Sequence, residues 1–144
     1  MVRPHCDHYF FDTGITNVLS HTLMDQLNPI VRGRRFEQFM IYQIYAIIHY
    51  KRLDYQLYYW RTNNGAEVDL LICQGHEIKY ALEIKSSKTI VKEKLSGLKQ
   101  FIAAHPDVSA YVVGIDQKKR LIDGHITLMN WQDFLEMLQG VELR

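Results

Sequence analysis

A chain of 144 residues bounds a single domain by size, and its 47% hydrophobic and 23% charged content belongs to a globular protein able to bury a core. A net charge of +1 removes any global basic signature of a nucleic-acid binder while leaving room for a local patch. Cys6 and Cys73 make no disulfide framework, Met1–Phe10 has no apolar signal core, and no apolar run approaches the roughly 20 residues a membrane span needs, so the chain reads as cytoplasmic and not membrane-bound.

In chain order, Tyr9–Phe11 predicts a short strand, and Asp12 or Thr13 caps a helix over Ile15–Leu27 that Asn28-Pro29 ends. Arg32-Gly33-Arg34-Arg35 reads as a basic loop leading into a long helix, Arg34–Tyr50, apolar on most sides. Three strands follow: Gln56–Asn63, then Ala66–Gln74 across an Asn64-Gly65 type I′ turn, then Ile78–Ser86. Val91, Leu95, Leu98 and Ile102 recur at helical spacing and predict a helix over Lys92–Ala104, stopped by His105-Pro106. Ser109–Ile115 is a strand, Gln117–Arg120 a charged turn, His125–Met129 a short strand and Trp131–Leu138 a last amphipathic helix with Asn130 as its cap. The order α-β-β-β-α-β predicts an α/β fold, a mixed sheet with helices on both faces. Residues 1–32 lead into the core, 33–116 form it and 117–144 pack on it, all in one domain.

Asp69, Glu83 and Lys85 stand among Val, Leu, Ile and Cys in strands that read as buried. Charges there cost several kcal/mol each unless paired or metal-bound, on the order of magnitude typical of buried ions. A three-residue loop, Gly75-His76-Glu77, sets Gln74 opposite Ile78, Asp69 opposite Glu83 and Glu67 opposite Lys85. A two-residue turn would instead put Asp69 and Glu83 on opposite faces. Two carboxylates pressed together need a proton or a cation, and that cation is either Lys85 or a divalent metal such as Mg²⁺. Glu37 lies on the stripe Glu37, Ile41, Ile44, Ile48 and is expected to face the sheet.

Asp69 followed by Glu83-Ile84-Lys85 on the next strand, with an acid on the preceding helix, resembles the PD-(D/E)xK nuclease signature. YFFDTG (Tyr9–Gly14), GRRFEQF (Gly33–Phe39), YYWRTNNGAEVDLL (Tyr58–Leu71), LEIKSS (Leu82–Ser87) and GLKQF (Gly97–Phe101) together resemble the C-terminal domain of a family of prokaryotic AAA-type ATPases, catalogued as a domain of unknown function. The resemblance implies a restriction-endonuclease-like core. It also implies Mg²⁺ or Mn²⁺ held by Asp69, Glu83, the Ile84 carbonyl and Glu37, with Lys85 orienting water. It implies phosphodiester hydrolysis of DNA or RNA and an ATPase domain in the same chain. No G-x-x-x-x-G-K-[ST] motif occurs, so the sequence reads as the C-terminal portion alone. The alternative is an inactive module of the same fold that binds nucleic acid or a protein and regulates the ATPase. Homo-oligomer formation stays open.

Arg61, Lys88, Lys92, Lys99 and Gln100 are candidate nucleic-acid contacts, with Lys79 and Lys94 in the same basic set; the competing reading is a solvated helix face. Glu67 competes for Lys85. The tyrosines and Trp60 read as packing before base stacking. Cys73 reads as a small buried hydrophobe. His5-Cys6-Asp7-His8 matches no standard zinc spacing.

Overall fold

The computed structural model describes residues 28–140. The predicted Tyr9–Phe11 strand, the Ile15–Leu27 helix and the His5–His8 group lie outside them. Helix α1 spans Pro29–Tyr50, strands β1 Gln56–Arg61, β2 Glu67–Gln74 and β3 Glu77–Lys85 follow, and a 3₁₀ turn at Lys92–Leu95 opens helix α2 at Ser96–Ala104. Strands β4 Ser109–Gly114, β5 Arg120–Ile122 and β6 Ile126–Asn130 precede helix α3 at Trp131–Gly140.

Asn28-Pro29 starts a helix; the helix it was expected to end lies outside the described residues. The Asn28 side chain accepts a hydrogen bond from the Ile30 N–H at 2.9 Å, and Pro29 occupies the first turn, where its missing N–H costs nothing. Arg32–Arg35 is therefore helical. The helix closes with Arg52 in the left-handed region (φ 53°), the Leu53 N–H donating to Ile48 O and the Arg52 N–H to His49 O. This is the Schellman closure, made here without glycine.

The six strands form one mixed sheet in the order β1-β2-β3-β4-β6-β5. β1, β2 and β3 form an antiparallel meander, β4 runs parallel to β3 and β6 parallel to β4, and β5 returns antiparallel at the edge. β5 is an element that the charged-turn reading of Gln117–Arg120 missed. Its three residues carry only two apolar side chains, too few to show a period.

One layer joins α1 and α3 to the sheet through Phe36, Met40, Ile44, Leu70, Ile72, Leu82 and Phe134. The opposite layer joins α2 through Leu95, Leu98 and Phe101 to Val68, Leu71, Ala81 and Val112, with Trp60 edge-on to Phe101 at 5.2 Å. Double-sided cover explains why β2 and β3 lack polar alternation. Cys73 is buried in the α2 layer, and burial pushes its thiol up to about 11, as befits a packing residue.

The first hairpin differs from the expected type I′ turn. The Thr62 N–H donates to Ala66 O and the Gly65 N–H to Thr62 O, so the loop holds Asn63, Asn64 and Gly65. Gly65 alone takes positive φ (89°), the three-residue turn-plus-bulge solution. Asn64 keeps negative φ, and its side chain bonds the Thr62 hydroxyl.

Candidate functional site

The second hairpin decides whether the acids meet. Gln74 pairs with Glu77, so the loop is the two-residue Gly75-His76, with Gly75 at φ 60° in the first central position. By itself this turn would separate Asp69 from Glu83. A β-bulge prevents that. Cys73 pairs with Ile78 but Ile72 pairs with Tyr80, so Lys79 is the extra residue on β3. From there the pairs Ile72–Tyr80, Leu71–Ala81 and Leu70–Leu82 follow a register that, extended one residue past the last pair, sets Asp69 opposite Glu83.

A second bulge re-aims Asp69. Tyr58 pairs with Leu71 and Trp60 with Val68, which leaves Asp69 and Leu70 opposite Tyr59 alone. Val68 and Leu71 consequently fall in the same layer. The β2–β3 pairs stop at Leu70–Leu82, although β2 begins at Glu67 and β3 runs to Lys85. In the opening, Asp69 Oδ2 accepts the Ile84 N–H at 2.7 Å. The Ile84 carbonyl leaves the strand on the same edge as its N–H.

Lys85 does not go to Glu67. Its Nζ lies 2.5 Å from Glu83 Oε1, while Glu67 is exposed on the far side of the opening. Glu83 is the one charged residue in the buried core of the described chain, and its Oε2 is buried with no hydrogen-bond partner. Glu37 is half-buried on α1, and its carboxyl is pushed up to about 7, first by burial and then by the charges of Asp69 and Glu67, against Lys85 and Arg34. Burial, then Asp69, pushes Glu83 up to about 7 against the pull of Lys85. Burial also raises Asp69, opposed by the Ile84 hydrogen bond and Lys85. Burial pulls Lys85 down, but Glu83, Asp69 and Glu37 outweigh it and the net shift is upward.

The Lys85 contact stabilises an ionised Glu83, whereas burial and Asp69 favour its protonated form. Both follow from one fact: three carboxylates (Glu37, Asp69 and Glu83) act on one half-buried ammonium, and the exposed Glu67 adds further negative charge. The excess negative charge takes up either a proton or a cation.

The pH consequence has a definite sign. Glu37 and Glu83 stand at about 7 in the fold against 4.5 ordinarily. Between those values the folded chain holds more protons than the unfolded one, so stability falls as pH rises through that window and levels off above it. The metal-free protein is expected to show a higher urea midpoint at about pH 5 than at about pH 8. Glu37→Gln should flatten this by on the order of 1 kcal/mol after allowing for solvent screening. A midpoint that rises across the window contradicts the cluster electrostatics.

Among the described residues, no three His, Cys, Asp or Glu side chains converge as a metal-holding group. The chain offers two carboxylates level with one another, an unpartnered Glu83 oxygen and a backbone carbonyl on the same edge. That donor set suits a hard cation that keeps several waters, as Mg²⁺ does, and does not suit a fully protein-ligated ion.

The predicted basic contacts scatter. Lys92 and Lys99 both reach Asp123 (3.6 and 2.7 Å), and Lys79 reaches Glu77 (2.9 Å). Gln100 is exposed on α2, and Arg61 is exposed at the end of β1, in register with Glu67. Lys88 reaches Asp116 at 3.3 Å. Asn130, expected as a helix cap, accepts the Gln117 N–H at 3.4 Å, and its amide bonds Gln132. Sequence reasoning missed Gly97. A Cβ there would lie 2.2 Å from Glu67 O, so α2 rests directly on the strand backbone two residues before Asp69.

No curated protein matches the chain. Among solved structures, a chain in the half-complex of the tetradecameric assembly of Thermococcus gammatolerans McrB AAA+ hexamers with bound McrC aligns with a TM-score of 0.52 at 11% identity. The match covers 76% of this chain and 33% of that one, so this chain spans about a third of the length of its structural neighbour. At that identity the likeness speaks for the fold alone. A family model, "Domain of unknown function (DUF4143)", matches residues 32–134, and the chain belongs to that family.

Proposed function

We propose that the chain is a PD-(D/E)xK-type, Mg²⁺-dependent phosphodiesterase acting on nucleic acid, with a restriction-endonuclease-like core, and that it works joined to an AAA-type ATPase. The observation that carries this reading is the charge imbalance at the β2–β3 opening, where Asp69 and Glu83 come level and Glu83 Oε2 lies buried without a partner. The structural neighbour's assembly contains AAA+ hexamers, which supports the ATPase context.

Asp69 and Glu83, with the Ile84 carbonyl, would hold the ion. Asp69 is already fixed by its bond from Ile84, so it needs little reordering. A bound Mg²⁺ lowers the pKa of its water and neutralises charge on the phosphate. Lys85, held here by Glu83, is the group that would orient the attacking water or face the phosphate oxygens. Glu37, poised near neutrality, holds or releases a proton at the edge of the site.

A second reading has its own support. The 2.5 Å Lys85–Glu83 contact ties up two of the functional groups, as a non-catalytic binding module would allow. Plasmid nicking separates the two. The wild type with Mg²⁺ or Mn²⁺ should nick, and Glu83→Ala should lose at least about 100-fold of the rate. A folded wild type that never nicks, or Glu83→Ala at full rate, overturns the hydrolytic reading.

A further inference from the structure

We propose that the phosphate backbone of a nucleic acid docks on a rim formed by Lys88, Lys118, Lys119 and Arg120, and not on the lysines of α2. This rests on the reading of the chain as one that engages nucleic acid, but not on hydrolysis.

β3 and β4 are parallel and end level, Lys85 beside Gly114, so the segments that leave them emerge together next to the acid cluster. Gln117 ties those segments down. Its Nε2 donates to Lys88 O at 2.7 Å and to Ile115 O at 3.0 Å, while its N–H reaches Asn130 at the end of β6. Its Cγ packs so closely on Gly114 that a Cβ there would stand 2.9 Å away. The rim is thus built onto three strand ends, on the side of an open α/β sheet where ligands bind.

Three of the four charges on this rim are unspent, those of Lys118, Lys119 and Arg120. Lys88, Lys118, Lys119 and Arg120 are all exposed, and the segments carry one acid, Asp116, which faces Lys88. Among the described residues, no carboxylate lies within ion-pair distance of Lys118, Lys119 or Arg120. By contrast, Lys99 and Lys92 both reach Asp123 and lower its carboxyl, so those two cations already have a partner. Three adjacent like charges repel one another and gain nothing from the fold, and a polyanion relieves that repulsion by releasing its own counterions.

The test compares Lys118→Ala/Lys119→Ala/Arg120→Ala with Lys92→Ala/Lys99→Ala. Fluorescence anisotropy is read on a short DNA duplex and a short RNA, in EDTA, at several salt concentrations. The rim variant should weaken binding to the preferred probe by at least about tenfold and flatten the log–log salt slope by about 2–3, at roughly 0.9 per lost phosphate contact. The α2 variant should stay within about twofold. The rim variant's thermal melt should coincide with the wild type's, since its three altered side chains are exposed. Rim-variant binding within about twofold of wild type, equal losses in both variants, or no binding of either probe by the wild type overturns the proposal. Rim-dependent binding without nicking would retire hydrolysis and leave the rim standing.

Discussion

Replacing Gly97 with alanine is expected to cost about 3 kcal/mol and lower the melting temperature by roughly 10 °C. The added Cβ would stand 2.2 Å from Glu67 O, 2.8 Å from Glu67 N and 3.1 Å from Glu67 C. All three are backbone atoms of a strand paired to β1, so none can swing aside. α2 must lift off β2, which loosens Leu95, Leu98 and Phe101 from Val68 and Leu71. The better helix propensity of alanine returns only about 1 kcal/mol. Gly33→Ala is the matched control. Its Cβ would meet Ser86 Oγ at 3.7 Å, an ordinary contact inside α1, so it should stabilise by about 0.5–1 kcal/mol. Equilibrium urea unfolding of both variants checks the pair, and a neutral Gly97→Ala would contradict the close helix–strand approach.

That approach also explains part of what sequence reading reaches and what it does not. The long stripe Ile41, Ile44, Ile48 and the β-rich runs were legible because hydrophobic period reports burial directly. So was the presence of Asp69, Glu83 and Lys85 in apolar strands, since a charge there needs a reason. Gly97 was not legible as a contact point: a glycine in a helix pattern signals a close approach only once its neighbour is known.

The register shows a subtler limit. Expecting a three-residue loop after Gln74 places Asp69 beside Glu83, and the structure reaches the same register as far as Leu70–Leu82 by a two-residue turn plus an extra residue, Lys79. Both solutions add one residue to β3's side of the pair, and local sequence does not distinguish a longer turn from a later bulge. The helix start at Asn28-Pro29 and the longer loop at Asn64-Gly65 went unread for a related reason. Asn-Pro both ends and begins helices, and Asn-Gly serves both a two-residue turn and the last positions of a longer one. The partners of Lys92 and Lys99 were not legible because ion pairing depends on tertiary neighbours: Asp123 lies in a turn that no period connects to either lysine.

At the acids the expected effect is on metal affinity and not on the fold. Asp69→Asn keeps the side chain's shape and can still accept the Ile84 N–H, so the fold survives and only the charge is removed. Glu83→Gln removes the charge that Lys85 holds. If the two carboxylates share an ion, each substitution deletes one of two charged ligands in a partly dry site, at a cost of at least about 1.4 kcal/mol, or tenfold in affinity. Because Glu83 stands near neutrality, affinity should also rise as pH increases from about 6 to about 8 and its proton leaves. The decisive measurement is Mn²⁺ titration of the intact protein, by calorimetry or electron paramagnetic resonance, without nucleic acid. The wild type should bind Mn²⁺ at a site that Asp69→Asn and Glu83→Gln each weaken at least about tenfold. A well-folded wild type that binds no Mn²⁺, or binding that both variants leave untouched, would contradict the account.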